Sequence, residues 1–133
     1  MMWIGRSCFA ATCALACLLI GPGRAGAWGA LAIGTTADNA ETASSFSVGH
    51  ATEDDARETA LRACRAAPRA DKARSLCAVV GTFQNQCVAV VGPGWAIAPN
   101  QQRARDEAVA KCRATSSGAC SSPVNSNCEG TAK

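Results

Sequence analysis

The sequence predicts an α+β domain made of two ββαβ half-repeats, in which an antiparallel sheet carries two helices on one face and three disulfides staple the chain. The first observation is an internal repeat: ARETALRACR at residues 56–65 reads again as ARDEAVAKCR at residues 104–113. The second is that six cysteines follow an export signal, and the repeat brings Cys64 and Cys112 into register. The third is the alternation of short apolar runs with two alanine-rich helical segments, which favours helices packed on a sheet.

Residues 1–27 have the three parts of a secretory signal. Arg6 is the positive residue, residues 7–20 form an apolar run, and an A-x-A cleavage site ends at Ala27. The run is shorter than the roughly 20 residues that span a bilayer. We therefore expect export to the periplasm or the medium and a mature domain of residues 28–133 with no membrane span. An uncleaved anchor is the alternative.

Loss of the signal changes the composition of the chain. The full sequence has 13 Lys+Arg, 10 Asp+Glu and nine cysteines. Arg6, Arg24 and three cysteines leave with the signal, so the mature chain is almost neutral. Lipid attachment at Cys17 is a weaker alternative, because the apolar run continues beyond it. A nearly neutral chain lacks the excess of Lys and Arg that nucleic acid requires, so we expect no nucleic-acid partner.

The first half-repeat, residues 28–83, contains two strands, a helix and a third strand. Residues 28–33 are short and apolar, and residues 45–50 alternate between apolar and polar side chains, as a half-buried strand does. Thr52 is placed to cap a helix whose first turn is acidic. Residues 76–83 are rich in β-branched side chains and predict a strand.

The second half-repeat, residues 86–128, has the same order of elements. Residues 87–91 and 95–98 predict strands, and the intervening Gly-Pro-Gly is a turn signal. Asn100 is placed to cap a helix over residues 103–113. The segment that follows the helix is polar and predicts only a weak last strand.

Two local pairings complete the predicted architecture. The connection at residues 84–86 is short, so we expect the strand at residues 87–91 to return antiparallel to the strand before it. Glu107 and Lys111 are four residues apart on the second helix and predict an ion pair.

Six cysteines in an exported chain predict an oxidised framework. The number alone does not choose the pairing, but in each half the helix cysteine is followed by another cysteine across a short loop broken by Pro68 or Gly118. Two cysteines then remain for a third bond. The predicted pairs are Cys64–Cys77, Cys112–Cys120 and Cys87–Cys128. A zinc site is the competing interpretation, and it is disfavoured because the mature chain has no C-x2-C pair and one histidine.

Ordered sequence blocks along the mature chain resemble those of a family of small exported bacterial proteins that carry a domain of unknown function. The blocks are W-G-A from Trp28, A-L-x-x-C at residues 60–64, and C-x-V-V-x-x-F-x-x-x-C-x-A from Cys77 to Ala89. The family pattern often has Trp-Gly where this chain has Trp95 followed by alanine. The resemblance implies bacterial export, one disulfide-rich domain and no established activity, and it carries over no catalytic residue.

His50 is the residue that an enzymatic interpretation would use, because it is the only histidine and an imidazole is a common general base. Its candidate partners are Ser47, Asp54 and Asp55. The simpler interpretation is a strand-end residue beside a helix cap. The chain has no G-x-S-x-G, H-E-x-x-H or phosphate-loop motif. We therefore expect no catalytic residue, no cofactor and no metal ligand.

Three other clusters are candidates for binding, each with a simpler interpretation. The acidic run 53–55 offers oxygen ligands for a cation, or simply begins a helix. The basic tract between Arg57 and Arg74 offers a surface for an anionic partner, or a solvated face. The aromatic side chains offer a groove, or a core; they are Trp28, Phe46, Phe83 and Trp95.

These observations favour an exported, monomeric, non-enzymatic module that binds an unknown protein or envelope component. An inhibitor or immunity-type protein suits a small stapled scaffold, since rigid loops reduce the ordering cost of binding. A small envelope hydrolase centred on His50 and a structural envelope protein are the two alternatives.

Overall fold

The computed structural model describes residues 27–115, 120 and 123–133. The predicted signal peptide, apart from its last residue, and Gly118 lie outside these residues. Six strands and three helices follow one another along the described chain. They are β1 (Trp28–Thr35), β2 (Thr42–His50), α1 (Glu53–Arg65), α2 (Asp71–Arg74), β3 (Ala78–Phe83), β4 (Cys87–Val91), β5 (Gly94–Ala98), α3 (Gln101–Thr115) and β6 (Asn125–Cys128).

Each half-repeat forms its own three-stranded antiparallel sheet. The first sheet has the order β2-β1-β3 and the second has the order β5-β4-β6, so the first strand of each half is central. The central strands β1 and β4 are buried along nearly their whole length. Both are apolar on both faces, as a strand covered from two sides must be.

Four layers result from the way the two halves pack. Alternate residues of β1 point to opposite sides: Ala30 and Ala32 pack against α1, whereas Leu31 and Ile33 join the cluster between the sheets. In β4, Ala89 packs against α3 in the same way. Val88 and Val90 of β4 complete the cluster between the sheets. The order of layers is therefore helix, sheet, sheet, helix.

The α+β class, the two half-repeats and the three disulfides are confirmed. The arrangement of the sheet differs in one respect from the expectation, because the strands divide between two sheets and each helix covers the outer face of its own sheet. The physical reason is the size of the side chains. Alanine faces the helices and allows close approach, while the larger Leu, Ile, Val and Phe side chains face the other sheet.

The connection at residues 84–86 does not return the chain antiparallel within one sheet, so that expectation was wrong. The strand β3 pairs with β1, and β4 pairs with β5 and β6. The connection instead carries the chain from the first sheet to the second. Asn85, at its centre, has a φ of 50°, in the left-handed region that asparagine tolerates.

The helix starts agree with the predicted caps. The Thr52 hydroxyl accepts a hydrogen bond from the Asp55 N–H at 3.2 Å, and the Asn100 side chain accepts one from the Arg103 N–H at 2.9 Å. Such caps satisfy N–H groups that have no partner inside the helix.

Candidate binding surface

The three disulfides connect the residues that the repeat predicts. Cys64–Cys77 and Cys112–Cys120 each join the last turns of a helix to the segment that follows it. Cys87 and Cys128 are direct partners in the register of β4 and β6, so their bond crosses two neighbouring strands. All six cysteines are therefore structural, and none is free as a nucleophile.

His50 and its proposed partners are not brought together as a catalytic set. His50 ends β2 opposite Trp28, and its imidazole makes no hydrogen bond or ion pair within the part of the chain that the structure describes. Ser47 is buried against α1, where its hydroxyl donates to the Ala56 carbonyl oxygen at 2.7 Å. The Asp55 side chain is exposed in the first turn of α1. A general base needs an oriented partner or substrate within reach, and this geometry supplies no such partner.

The acidic run at residues 53–55 is used to begin α1. Glu53 accepts hydrogen bonds from Arg57 at 3.3 Å and from the Thr82 hydroxyl at 3.0 Å. Among the described residues, no group of three or more His, Cys, Asp or Glu side chains is placed to hold a metal ion.

The basic tract is divided by ion pairs within the helices. Arg57 pairs with Glu53 at 3.3 Å, and Arg62 pairs with Glu58 at 3.6 Å. Arg74 pairs with Asp71 in α2. Arg65, at the end of α1, is exposed and makes no ion pair with any described residue. The tract is therefore not a uniform basic face, and one cation of α1 is left for a partner.

The aromatic side chains belong mainly to the cores. Phe83 is buried between the sheets, and Phe46 and Trp95 pack against the same cluster. Trp28 packs beside the α1 cluster. The Lys111 ammonium lies 4.7 Å from the centre of the Trp95 ring, in the range of a cation–π contact.

The predicted pairing of Glu107 with Lys111 was wrong. Glu107 accepts from the Arg103 guanidinium at 2.7 Å instead, and Lys111 covers Trp95. A flat ring beside the helix competes for the lysine, which the sequence spacing alone does not reveal.

Glu129 and Glu41 hold segments of the scaffold together through hydrogen bonds, and the sequence pattern did not identify either residue. Glu129 is buried, and its carboxylate accepts hydrogen bonds from the N–H groups of Gly49 and Gly130. It thereby ties the end of the chain to β2. The Glu41 carboxylate accepts from the N–H groups at the start of α2, at 2.6 Å from Lys72 and 3.1 Å from Ala73. No spacing rule connects residues so distant in sequence.

Asp38 is held by hydrogen bonds within a turn. A hydrogen bond from Thr36, followed by one from the Ala40 N–H, lowers the pKa of Asp38 from its usual range. Asp38 is exposed in the connection between β1 and β2.

A groove between α1 and β3 forms an open concave surface, and its lining includes Arg57 and Arg65 of the basic tract. Its volume is about 520 Å³. The helix wall carries Asp54, Arg57, Glu58, Leu61 and Arg65, and the strand wall carries residues 77–79.

Two ties hold the walls of the groove. The Cys64–Cys77 disulfide joins them at the C-terminal end of α1, and the hydrogen bond from Thr82 to Glu53 joins them at the N-terminal end. The strand therefore runs antiparallel to the helix along a surface of fixed width.

Two exposed apolar residues adjoin the strand wall of this groove in sequence. Leu76 is 52% exposed and Val80 is 39% exposed, and they are the large hydrophobic residues that the described chain leaves most open to solvent. Each lies next to a lining residue in sequence. Val80 is exposed because the register between β1 and β3 shifts there, with Leu31 opposite Gly81 and Ala32 opposite Val79.

The comparison with protein families agrees with this scaffold. The model of the domain of unknown function DUF4189 matches residues 28–128, which include all six cysteines of the framework. The chain belongs to this family. No curated protein and no solved structure matches it.

The match to the DUF4189 family runs from the first strand to the cysteine at the end of β6. Both walls of the groove lie within the match, whereas Glu129 falls one residue beyond it. Three disulfides are typical of a protein outside the reducing cytoplasm. None of the described helices has the length and apolar content needed to cross a membrane.

Proposed function

We propose that the mature domain is exported and acts by binding another protein, as an inhibitor or immunity-type module, with the α1–β3 groove as its contact surface. The observation that carries the proposal is the position of Leu76 and Val80. Both are exposed large hydrophobic residues of the described chain, and each is adjacent in sequence to a residue that lines the α1–β3 groove. Burial of these two side chains by a partner would remove them from water, which favours association.

The scaffold supports this proposal because it holds the groove rigid. A disulfide closes one end of the groove and a hydrogen bond closes the other. A rigid surface loses little conformational entropy on binding, and this loss is one of the costs of association. The absence of an oriented partner for His50 within the described chain makes catalysis a weaker explanation.

Capture from a bacterial envelope extract by the oxidised mature domain tests the proposal. We expect wild type to retain a specific protein, and Leu76→Ser combined with Val80→Ser to lose it. Ala110→Ser is the control, because Ala110 is exposed on α3 in the other half. Equal capture by wild type and by the variant with both Leu76→Ser and Val80→Ser would contradict the choice of surface.

Two outcomes would replace the proposal with an alternative. Turnover of a peptidoglycan, peptide or ester substrate that disappears in His50→Ala would support the small envelope hydrolase. A structural role in the envelope would be supported if isolated cell-wall material retains the domain and the Leu76 and Val80 substitutions do not change this retention.

A further inference from the structure

The dimensions of the groove point to an extended segment of chain as its occupant. From Asp54 to Arg65 the helix wall rises by roughly 16 Å, at about 1.5 Å per residue. An extended peptide advances by about 3.3 Å per residue, so roughly five residues match this length. The opposite wall, β3, is an edge strand that pairs with β1 on one side.

The charges along the groove are arranged by sign. About one turn from Asp54, Arg57 and Glu58 are each paired with another residue of α1. At its ends, Asp54 and Arg65 are exposed and form no ion pair with any residue that the structure describes. The groove thus has an anionic end and a cationic end.

The centre of the groove is apolar. Leu61 and Val79 are half-buried side chains that lie on facing walls, and both pack against the core beneath them. A ligand that complements the whole groove therefore has an apolar side chain at its middle and opposite charges at its ends.

The second half-repeat provides a comparison within the same molecule. The positions 48 residues later than Asp54, Leu61 and Arg65 hold Gln102, Val109 and Arg113. The anionic end is therefore missing in that half. In addition, four described side chains from the C-terminal part of the chain pack onto the α3 cluster; they are Cys120, Val124, Cys128 and Ala132.

We infer that the α1–β3 groove binds an extended protein segment of about five residues, with a carboxylate at Arg65, an apolar side chain over Leu61 and Val79, and a cation at Asp54. The inference rests on the proposed function, since it names the chemistry that the partner presents. Because the two ends of the groove carry opposite charges, they determine the direction in which the segment lies along α1.

Titration of the oxidised mature domain with synthetic peptides, followed by amide chemical shifts, tests the inference. The probes are acetyl-EALAK-amide and acetyl-KALAK-amide. We expect EALAK to shift the amides of residues 54–65 and 77–80 and to bind more tightly than KALAK, which places a cation at Arg65.

A charge reversal at Arg65 makes the test specific. Exposed ion pairs contribute up to about 1 kcal/mol, which is about five-fold in affinity, so Arg65→Glu should weaken EALAK by up to about five-fold and strengthen KALAK by a similar factor. Arg113→Glu is the matched control, because Arg113 is the exposed repeat equivalent on α3, and it should change neither affinity. A merely structural effect of Arg65 would weaken both peptides together.

Three results would overturn the inference. They are shifts that scatter over the whole surface, equal affinity for the two peptides, and equal loss of EALAK binding in Arg65→Glu and Arg113→Glu. If any of these occurs while the Leu76 and Val80 substitutions still abolish partner capture, the binding function stands and the peptide inference alone fails. If capture is also unaffected by those substitutions, the proposed contact surface fails as well.

Discussion

Substitution of Gly94 by alanine should be among the most damaging single-methyl changes in this domain. Gly94 is buried at the start of β5, where α3 passes over the strand. A Cβ atom there would lie 2.5 Å from the Cys112 nitrogen and 2.6 Å from the Cys112 Cβ, and it would also meet the Ala108 carbonyl oxygen. Ordinary van der Waals contact begins at about 3.4 Å, so the helix backbone must move by about 1 Å.

The cost of Gly94→Ala follows from what has to move. Overpacking typically costs 1–3 kcal/mol, and an obstacle made of helix backbone, held at Cys112 by a disulfide, places this change near the upper end, at about 3 kcal/mol. At roughly 4–8 °C per kcal/mol for a domain of this size, the melting temperature should fall by about 15 °C.

Gly81→Ala is the matched control for this prediction. Its Cβ would meet the Ile97 Cδ1 atom at 2.7 Å, which is the far end of a flexible side chain. That methyl group can rotate away, so we expect a cost of about 1 kcal/mol or less. Urea unfolding of both variants under non-reducing conditions measures the difference as a change in midpoint at constant slope. A Gly94→Ala domain as stable as the Gly81→Ala domain would refute the close helix–strand contact.

Three further predictions follow from the disulfides, the buried carboxylate and the signal. Replacing Cys87 and Cys128 together by alanine should cost about 4 kcal/mol from the chain-entropy estimate and loosen β6, as faster amide hydrogen exchange there would show; unchanged protection would contradict it. Glu129→Gln puts a neutral amide in place of a carboxylate that accepts the Gly49 N–H, and should cost roughly 1–3 kcal/mol in chemical unfolding; a loss below about 0.5 kcal/mol would show that the contact contributes little. N-terminal sequencing of exported protein should begin at Trp28, and recovery of an intact Met1 would exclude the predicted cleavage.

Much of the local structure was predictable because it depends on neighbours in sequence. The N-caps at Thr52 and Asn100 are set by side chains three residues before the N–H groups they accept from. The strand β4 occupies the predicted residues because its β-branched run is bounded by turn residues. The candidate groove was only half predictable. The cations of α1 were visible, but the sequence does not show that β3 lies across a groove from them or that Leu76 and Val80 stay exposed.

The sequence by itself determined the two half-repeats and the disulfide pairing. In an internal repeat, two parts of one chain have equivalent positions, so the equivalent cysteines Cys64 and Cys112 are expected to have equivalent partners. Cys87 and Cys128 then remain to pair with each other. This inference needs only spacing. It holds because short loops limit which cysteines can meet.

Only the tertiary structure decided that the halves form two sheets packed face to face. The residues of β4 are apolar on both faces, and this pattern is compatible with one continuous sheet or with two. The choice depends on burial of the large side chains of both halves in one cluster, which includes Leu31, Phe83 and Val88. The hydrogen bonds of Glu129 to Gly49 and of Glu41 to Lys72 were likewise decided in space. Such contacts join residues whose separation in sequence carries no information about their distance, because packing of the whole chain brings them together.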